Sequence, residues 1–242
     1  MKKTMGMGSV FALGLAALVL RWQSYRTAVD EKGLLQRMHP LSLALLALTA
    51  AVLLLIFFLA RRQEESVSFE ERNPRGVLSA LGHAVMAGSV LSTVLAGSPW
   101  TIGYLAIAWR WLGFAASLCL VLAGTDRLQG RKSSFLLHVV PCLFLVVHIV
   151  CHYQTWSGNP QMLDYVFALL GAMALMFFGF YTAAMEAGCG SRRMLLGMGL
   201  AAIYLCLAEM ANSAYPRLYL AGIFWVMTDL HALKMPDSAE KE

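Results

Sequence analysis

Eight long apolar stretches run through the chain, and short polar connectors separate them. Each stretch holds between 18 and 26 residues, close to the roughly 20 that an α-helix needs to cross a bilayer. We therefore predict an all-α, polytopic bundle of about eight transmembrane helices, forming one membrane domain over residues 1–242. The predicted spans are residues 4–21, 40–60, 76–97, 101–124, 134–152, 162–187, 194–213 and 217–234.

Composition supports this fold class. Apolar residues make up 59% of the 242 residues and charged residues only 14%, and the mean hydropathy is +0.63, well above that of an ordinary soluble domain. The net charge of +5 comes from short basic blocks beside apolar stretches, where Lys and Arg orient helices in a membrane. We expect the lipid bilayer as a partner and no nucleic acid.

The basic residues alternate between connectors. They follow span 2 (Arg61, Arg62, Arg72, Arg75), span 4 (Arg127, Arg131, Lys132) and span 6 (Arg192, Arg193), whereas the connectors after spans 3 and 5 carry none. Because cytoplasmic connectors are enriched in Lys and Arg, both termini are predicted to be cytoplasmic.

The first span is the least secure of the eight. The connector after it contains Arg26, Lys32 and Arg37, although the alternation places that connector outside. A tilted, interfacial or inverted first helix would account for these charges. The run after Lys2 reaches Arg21 without a small-residue cleavage site, so we expect an uncleaved span and no removed signal peptide.

Small and polar residues mark the helix faces that should turn inward. In span 3, small residues recur at every fourth position (Ala80, Ala84, Gly88, Ser92, Ala96), a spacing that permits close helix packing. In span 5, His138, His148 and His152 share one helical face. Span 6 has a similar face, formed by Asp164, Ala168, Gly171, Gly179, Thr182 and Glu186. All three faces are expected to contact other helices.

Arg110 lies about ten residues from the outer end of span 4, near mid-membrane. An unpaired charge at that depth costs at least ~2.5 kcal/mol, so we expect Arg110 to turn inward and pair with Glu209 or Asp164. The alternative is that span 4 is shifted and Arg110 reaches the interface between Trp109 and Trp111. That shift would leave only about 14 residues to finish the crossing, which favours the buried position.

His148, Cys151 and His152 form an HxxCH pattern, whose i and i+4 imidazoles can share a metal ion, with Asp164 as a further ligand. Haem held by His83 and His138 is a related alternative. Histidines next to an interfacial aromatic belt more often serve a structural role, so we expect no metal and no cofactor.

Near the predicted cytoplasmic side, the ionisable residues allow two alternative interpretations. Glu186, Asp229 and His231 could relay protons with the histidines of spans 3 and 5. Asp229 and His231 lie two residues apart, on nearly opposite helical faces. Alternatively, Glu186 forms an ordinary interfacial salt bridge with Arg192 and Arg193.

The connector between spans 5 and 6 contains Trp156-Ser-Gly-Asn-Pro160, which has the composition of a turn. Its aromatic and polar residues, with Trp156 foremost, could line a pocket that faces outward. They could equally anchor the helices at the interface.

From Tyr153 through span 6, beginning Tyr-Gln-Thr-Trp-Ser-Gly-Asn-Pro-Gln-Met-Leu-Asp-Tyr, the chain resembles a group of bacterial multi-spanning membrane proteins without an assigned activity. The likeness lies mainly in residues 153–187, and it implies the bacterial inner membrane without implying a mechanism. Thr228-Asp229 also resembles the Ser-Asp pair of membrane lysoplasmalogenases, whose second acidic site is not recognisable in this sequence.

The polar residues of spans 4 to 7 lead to a functional hypothesis. We expect a permease-like protein that handles a small solute at an outward-facing site formed by Arg110, His148, His152, Trp156, Asp164 and Glu209. A membrane-embedded enzyme, lipid-directed or metal-dependent, is the second hypothesis. A non-catalytic membrane subunit or scaffold is the third. A homo-oligomer and a partner subunit both stay open.

Overall fold

A computed structural model describes residues 2–28, 39–62, 76–97, 103–156 and 162–232, and within these ranges the secondary structure is helical. Eight α-helices follow one another in the described residues: α1 (Lys2–Thr27), α2 (Pro40–Arg61), α3 (Val77–Leu95), α4 (Gly103–Gln129), α5 (Leu136–Trp156), α6 (Met162–Ala187), α7 (Arg192–Glu209) and α8 (Pro216–Ala232). A short 3-10 helix, Met210–Asn212, extends α7. Each helix overlaps one predicted span, which confirms the helical bundle.

Several helices continue beyond the predicted apolar stretch. α4 reaches Gln129 and stops before Gly130, which has a φ of +65°. α6 likewise stops just before Gly188, which has a φ of +82°. Glycine adopts this left-handed conformation without steric cost, so it ends a helix readily. The polar residues Thr125, Asp126 and Arg127 do not end α4, because nothing in their chemistry prevents the helix from continuing.

Seven of the helices, α1 to α7, are long and apolar enough to cross a membrane. The protein is therefore a multi-pass integral membrane protein. α8 has 17 residues, corresponding to about 25 Å along its axis. Its status as the eighth span stays a prediction, as does the orientation of the bundle relative to the cytoplasm.

Neighbouring helices run in opposite directions. Trp109 near the start of α4 contacts His148 near the end of α5, and Ala60 at the end of α2 lies near Gly197 at the start of α7. We call the "basic end" the end where α2 and α4 finish and α7 begins, because Arg61, Arg62, Arg127, Arg192 and Arg193 lie there. The other end is called the "opposite end".

α1 follows the same alternation. Near its start, Gly6 packs on Leu59 at the end of α2, and near its finish Arg21 contacts Glu209 at the end of α7. α1 therefore begins at the basic end and is not inverted. The first described residue, Lys2, and the last, Ala232, belong to helix ends at the basic end. In the connector that follows α1, residues 29–38 lie outside the described residues.

Helices α3 to α8 form a closed ring in which each helix packs on the next and α8 packs on α3. α1 and α2 pack against the outer side of α7, which is the most deeply buried helix. A hydrogen bond of 2.9 Å between the hydroxyl groups of Thr49 and Tyr204 joins α2 to α7. The rest of α2 is apolar and largely exposed, as expected for a helix that faces lipid.

The predicted inward faces of α5 and α6 are confirmed. His138, His148 and His152 are all buried. On α6, every described side chain or glycine of the predicted face is buried, namely Ala168, Gly171, Gly179, Thr182 and Glu186. The side chain of Asp164 lies outside the described residues.

The predicted small-residue ladder of α3 is a packing face only at its start, where Ala80 is buried and its backbone oxygen lies 3.2 Å from a Cβ built on Gly124 of α4. Ala84, Gly88 and Ala96 are exposed, and nothing lies within 4 Å of a Cβ built on Gly88. A close approach to α8 occurs at Gly82, outside the ladder, where a Cβ would lie 2.0 Å from Thr228 Oγ1 and 3.2 Å from the Trp225 Cα. The four-residue spacing marks a stripe of small residues, but it does not tell which side of the helix the neighbours occupy.

Gly82→Ala is expected to destabilise the bundle, because the added methyl meets α8 backbone that must move. Overpacking of this kind typically costs about 1–3 kcal/mol, so thermal unfolding in detergent should begin several degrees lower. Gly88→Ala on the same helix is the matched control, and its Tm should be unchanged or slightly higher. Equal losses in the two variants would contradict the packing of α3 on α8.

Candidate functional site

Two of the predicted site residues, His148 and His152, meet near the opposite end of the bundle. They lie one turn apart on α5, with ring centroids 4.4 Å from each other. Trp109 of α4 contacts His148, and Tyr215, which directly precedes α8, contacts His152. Together with Phe144 these side chains form what we call the histidine–aromatic cluster. Both histidines and Trp109 are buried, so the cluster lies inside the ring of helices.

One hydrogen bond determines the protonation of His148. The indole Nε1–H of Trp109 donates to His148 Nδ1 over 3.3 Å. An indole N–H can only donate, so Nδ1 carries no hydrogen and His148 is a neutral imidazole with its proton on Nε2. With Nδ1 accepting from the indole, the group that His148 can present to a bound molecule is the Nε2–H donor.

Aromatic rings enclose the two imidazoles. Tyr215 packs edge-on against His152 at 4.9 Å and against His148 at 5.3 Å between ring centroids. Phe144 stacks on His148 at 5.9 Å. Burial raises the pKa of the Tyr215 phenol, and the nearby Cys151 thiol adds to that shift. Tyr215 is therefore a neutral hydroxyl at physiological pH, able to donate or accept a hydrogen bond.

Arg110 is exposed on the outer face of α4, and the expectation that it turns inward is wrong. Its neighbours along the exposed face are Tyr104, Ile107 and Trp111. A position of Arg110 at the interface would leave too few residues to finish the crossing if α4 ended at residue 124. α4 continues to Gln129, however, which leaves 19 residues after Arg110, or about 28 Å of helix. That length is close to the thickness of the hydrocarbon layer, which removes the objection to Arg110 at the interface.

Glu209 forms a buried ion pair with Arg21 of α1, and the expected pair with Arg110 is not present. Nη1 of Arg21 also donates to the backbone oxygen of Ala208 over 3.1 Å, and Nη2 donates to the Tyr25 hydroxyl over 3.2 Å. The guanidinium lies 4.9 Å from the ring centroid of Phe167 on α6. This ion pair fastens α1 to the end of α7.

The position of Arg21 inside a helix was not predicted from the sequence. Span 1 was predicted to end at residue 21, which placed Arg21 at the interface. α1 continues to Thr27, so the arginine lies inside the helix, where an ionisable residue needs a partner. Tyr215 was also missed, because it lies in the turn before α8 and no helical periodicity points to it.

A cleft of about 110 Å³ lies beside the Arg21–Glu209 pair, between α1, α2 and α6. Its walls are mostly apolar, with Leu45, Val166 and Phe167 among them, and its polar lining residues are Arg21, Ser24, Ser42 and Thr49. The cleft is separate from the histidine–aromatic cluster, since none of the cluster residues lines it.

The remaining predicted site residues, Trp156 and Asp164, have side chains outside the described residues, so their roles stay predictions. Helix positions 156 and 162 both lie at the opposite end, the same end as the cluster. Among the described residues there is no group of three or more His, Cys, Asp or Glu side chains arranged to hold a metal ion.

Polar side chains also meet at the basic end. Glu186 of α6 forms a buried ion pair with Arg127 of α4, which neither interpretation of the sequence named as its partner. On α8, Asp229 is buried and accepts a hydrogen bond from the Ser79 hydroxyl of α3. His231 is exposed, as its two-residue separation from Asp229 predicts.

Arg21→Gln is expected to lower the stability strongly, because it leaves the Glu209 carboxylate buried without its compensating charge. Breaking a buried pair costs about 3–5 kcal/mol, which corresponds to a fall in Tm on the order of 10 °C. Arg110→Gln is the matched control, and its unfolding should be close to that of the wild type. Thermal unfolding in the same detergent measures both. A larger fall in Tm for Arg110→Gln than for Arg21→Gln would contradict this placement and indicate that Arg110 is buried.

The chain matches no protein-family model, no curated protein and no solved structure. The resemblance of residues 153–187 to bacterial multi-spanning membrane proteins therefore stays an expectation. The function has to be inferred from the chemistry of the buried side chains.

Proposed function

We propose that this membrane protein handles a small, uncharged polar solute at the histidine–aromatic cluster, in the manner of a permease. The observation that carries the proposal is the convergence of Trp109, His148, His152 and Tyr215 inside the ring. Polar groups in the interior of a membrane protein are costly and mark candidate substrate pathways.

The chemistry of the cluster suggests the class of solute. His148 can donate through its Nε2–H, and the Tyr215 hydroxyl can both donate and accept, so together they suit hydroxyl or amide groups. The rings of Trp109, Phe144 and Tyr215 supply apolar faces on which a ring or an aliphatic portion can lie. Such a combination of apolar walls and a few directed polar groups is typical of small-molecule sites.

The proposal depends on His148 and His152. Arg110 and Glu209, also predicted as binding residues, add no support, because Arg110 is exposed and Glu209 is paired with Arg21. Trp156 and Asp164 are proposed to line the entrance, since positions 156 and 162 bring the α5–α6 connector to the same end as the cluster. The basic connectors at the other end favour a cytoplasmic location for that end, so the entrance is proposed to face outward.

One observation favours a second candidate, a non-catalytic subunit of a membrane complex. Arg110 lies on an exposed apolar face of α4 beside Ile107 and Trp111. A partner helix with an acidic residue would cover that charge. In a purely structural subunit, the histidine–aromatic cluster would only join α4 and α5 and would never open to water.

Accessibility of Cys151 to water separates the two candidates. This thiol lies on α5 between His148 and His152 and is 1% exposed, whereas Cys206 of α7 is 0% exposed and donates to the Gly171 backbone oxygen. Two variants are compared, each retaining only one of these two cysteines and carrying alanine at the other four cysteine positions. Both are incorporated into lipid nanodiscs and treated with a charged, membrane-impermeant thiosulfonate.

A permease that opens to water should show labelling of Cys151 at least about tenfold faster than labelling of Cys206. A panel of sugars, polyols and nucleosides is then tested for protection of Cys151, which would identify the solute class. Labelling of Cys151 as slow as that of Cys206, in correctly folded protein, would reject the permease and favour the structural subunit.

A further inference from the structure

A second buried group of titratable side chains lies at the basic end, away from the histidine–aromatic cluster. It consists of Ser79 and His83 of α3, Trp225 and Asp229 of α8, and His138 of α5, and we call it the "inner cluster". All five side chains are at most 2% exposed. Asp229 lies three residues before the end of α8, and Ser79 lies in the first turn of α3, so the cluster is close to the basic-end surface.

The hydrogen bonds of His83 determine its tautomer. Nδ1 lies 2.8 Å from the backbone oxygen of Ser79, and a carbonyl oxygen only accepts, so Nδ1 carries the hydrogen. The indole Nε1–H of Trp225 donates to Nε2 over 3.2 Å, so Nε2 carries none. His83 is therefore neutral, and an arriving proton can bind only at Nε2.

Binding of that proton is incompatible with the Trp225 hydrogen bond. A protonated Nε2 and the indole N–H would both be donors, so the indole has to move away from His83. A carboxylate compensates for the new positive charge, since Asp229 Oδ1 lies 3.7 Å from His83 Nδ1. The Ser79 hydroxyl donates to the same oxygen and holds the carboxylate in place.

Other titratable and charged groups near His83 come from the helices around it. His138 of α5 packs edge-on against His83, with 5.6 Å between ring centroids. α4 approaches at Gly124, where a built Cβ would lie 3.3 Å from the His83 Cβ. The next charged residues of α4 are Asp126, which is partly exposed, and Arg127, which is paired with Glu186 of α6. Asp229 is a carboxylate in direct range of the His83 ring, with 3.7 Å between Oδ1 and Nδ1.

Trp225 links this site to the middle of the bundle. Its ring packs edge-on against Phe178 of α6 at 5.2 Å and lies 3.3 Å from a Cβ built on Gly179. A movement of the indole therefore changes the contact between α8 and α6. The absence of a side chain at Gly179 leaves the indole close to the α6 backbone.

We propose that the inner cluster is a proton-binding site, in which His83 Nε2 takes up a proton from the basic end and thereby releases Trp225 from its hydrogen bond. Asp229 supplies the compensating charge. Trp225 then transmits the protonation to α6. The site does not depend on the solute proposed for the histidine–aromatic cluster, and it makes the packing of α8 sensitive to pH.

Trp225 fluorescence and imidazole NMR test this site in the full-length protein in nanodiscs. The Trp225 contribution is the difference between the emission of the wild type and that of Trp225→Phe, followed from pH 8 to pH 5. Protonation of His83 breaks the hydrogen bond of the indole and changes its surroundings, so the Trp225 contribution should change in intensity by about half or more as His83 is protonated. The ¹⁵N resonance of His83 should titrate with the same midpoint.

The variants give opposite shifts. Asp229→Asn removes the compensating charge and should lower the His83 midpoint by about one pH unit or more. Trp225→Phe removes the competing donor and should raise the His83 midpoint. NMR measures this midpoint because the variant no longer contains the Trp225 fluorophore. His231→Gln, an exposed change on α8, is the control and should leave both signals unchanged. Circular dichroism at each pH verifies the fold.

Three results would overturn the proposal. The first is a Trp225 contribution that stays constant to pH 5 in folded protein. The second is a midpoint that Asp229→Asn does not lower. The third is a fluorescence titration that persists in His83→Gln and disappears in His138→Gln, which would transfer the proton to His138. Trp225→Phe and Asp229→Asn both keep His83, and NMR follows its protonation directly in each. These two variants therefore test the proposal even if His83→Gln does not fold.

Discussion

Hydrocarbon cannot form hydrogen bonds, and this property of the solvent decides where the few charged residues of the bundle lie. Two buried ion pairs join charged residues on different helices, Arg21 with Glu209 and Arg127 with Glu186. An ion pair inside a membrane has no water to replace a lost partner. The two pairs therefore act as cross-links between helices that are distant in sequence, α1 with α7 and α4 with α6.

The interior histidines follow from the same constraint but in a different chemical form. His83 and His148 each accept a hydrogen bond from an indole, Trp225 and Trp109 respectively. Each bond occupies one ring nitrogen with a donor and keeps the imidazole neutral, which avoids the cost of a buried charge. The two sites differ in what lies beside them. His83 has a carboxylate within 3.7 Å, whereas His148 is enclosed by His152, Phe144 and Tyr215. This contrast is the reason for proposing proton binding at one end and a polar solute at the other.

Sequence periodicity was sufficient for the helices and for some of their faces. Apolar runs predicted every helix, and the shared face of His138, His148 and His152 was correctly expected to be buried. Periodicity gives a direction around one helix, but it does not say which helix stands opposite. For this reason Glu209 was assigned to Arg110 when its partner is Arg21. The ladder of Ala84 and Gly88 was assigned to an interface for the same reason, although the close approach to α8 is at Gly82.

Helix ends were the second source of error, because apolarity does not define where a membrane helix stops. α1 and α4 both continue through polar residues, and the extra turns bring Arg21 inside the bundle and allow Arg110 to stay outside. A double-mutant cycle of Arg21→Met and Glu209→Met tests the central account most directly, with stability measured by reversible unfolding in mixed micelles. If charge compensation in a dry interior is what matters, each single variant is strongly destabilised and the double variant recovers most of the loss, with a coupling energy on the order of 3 kcal/mol. Additive losses in the double variant would show that the two charges do not depend on each other, and would contradict the account.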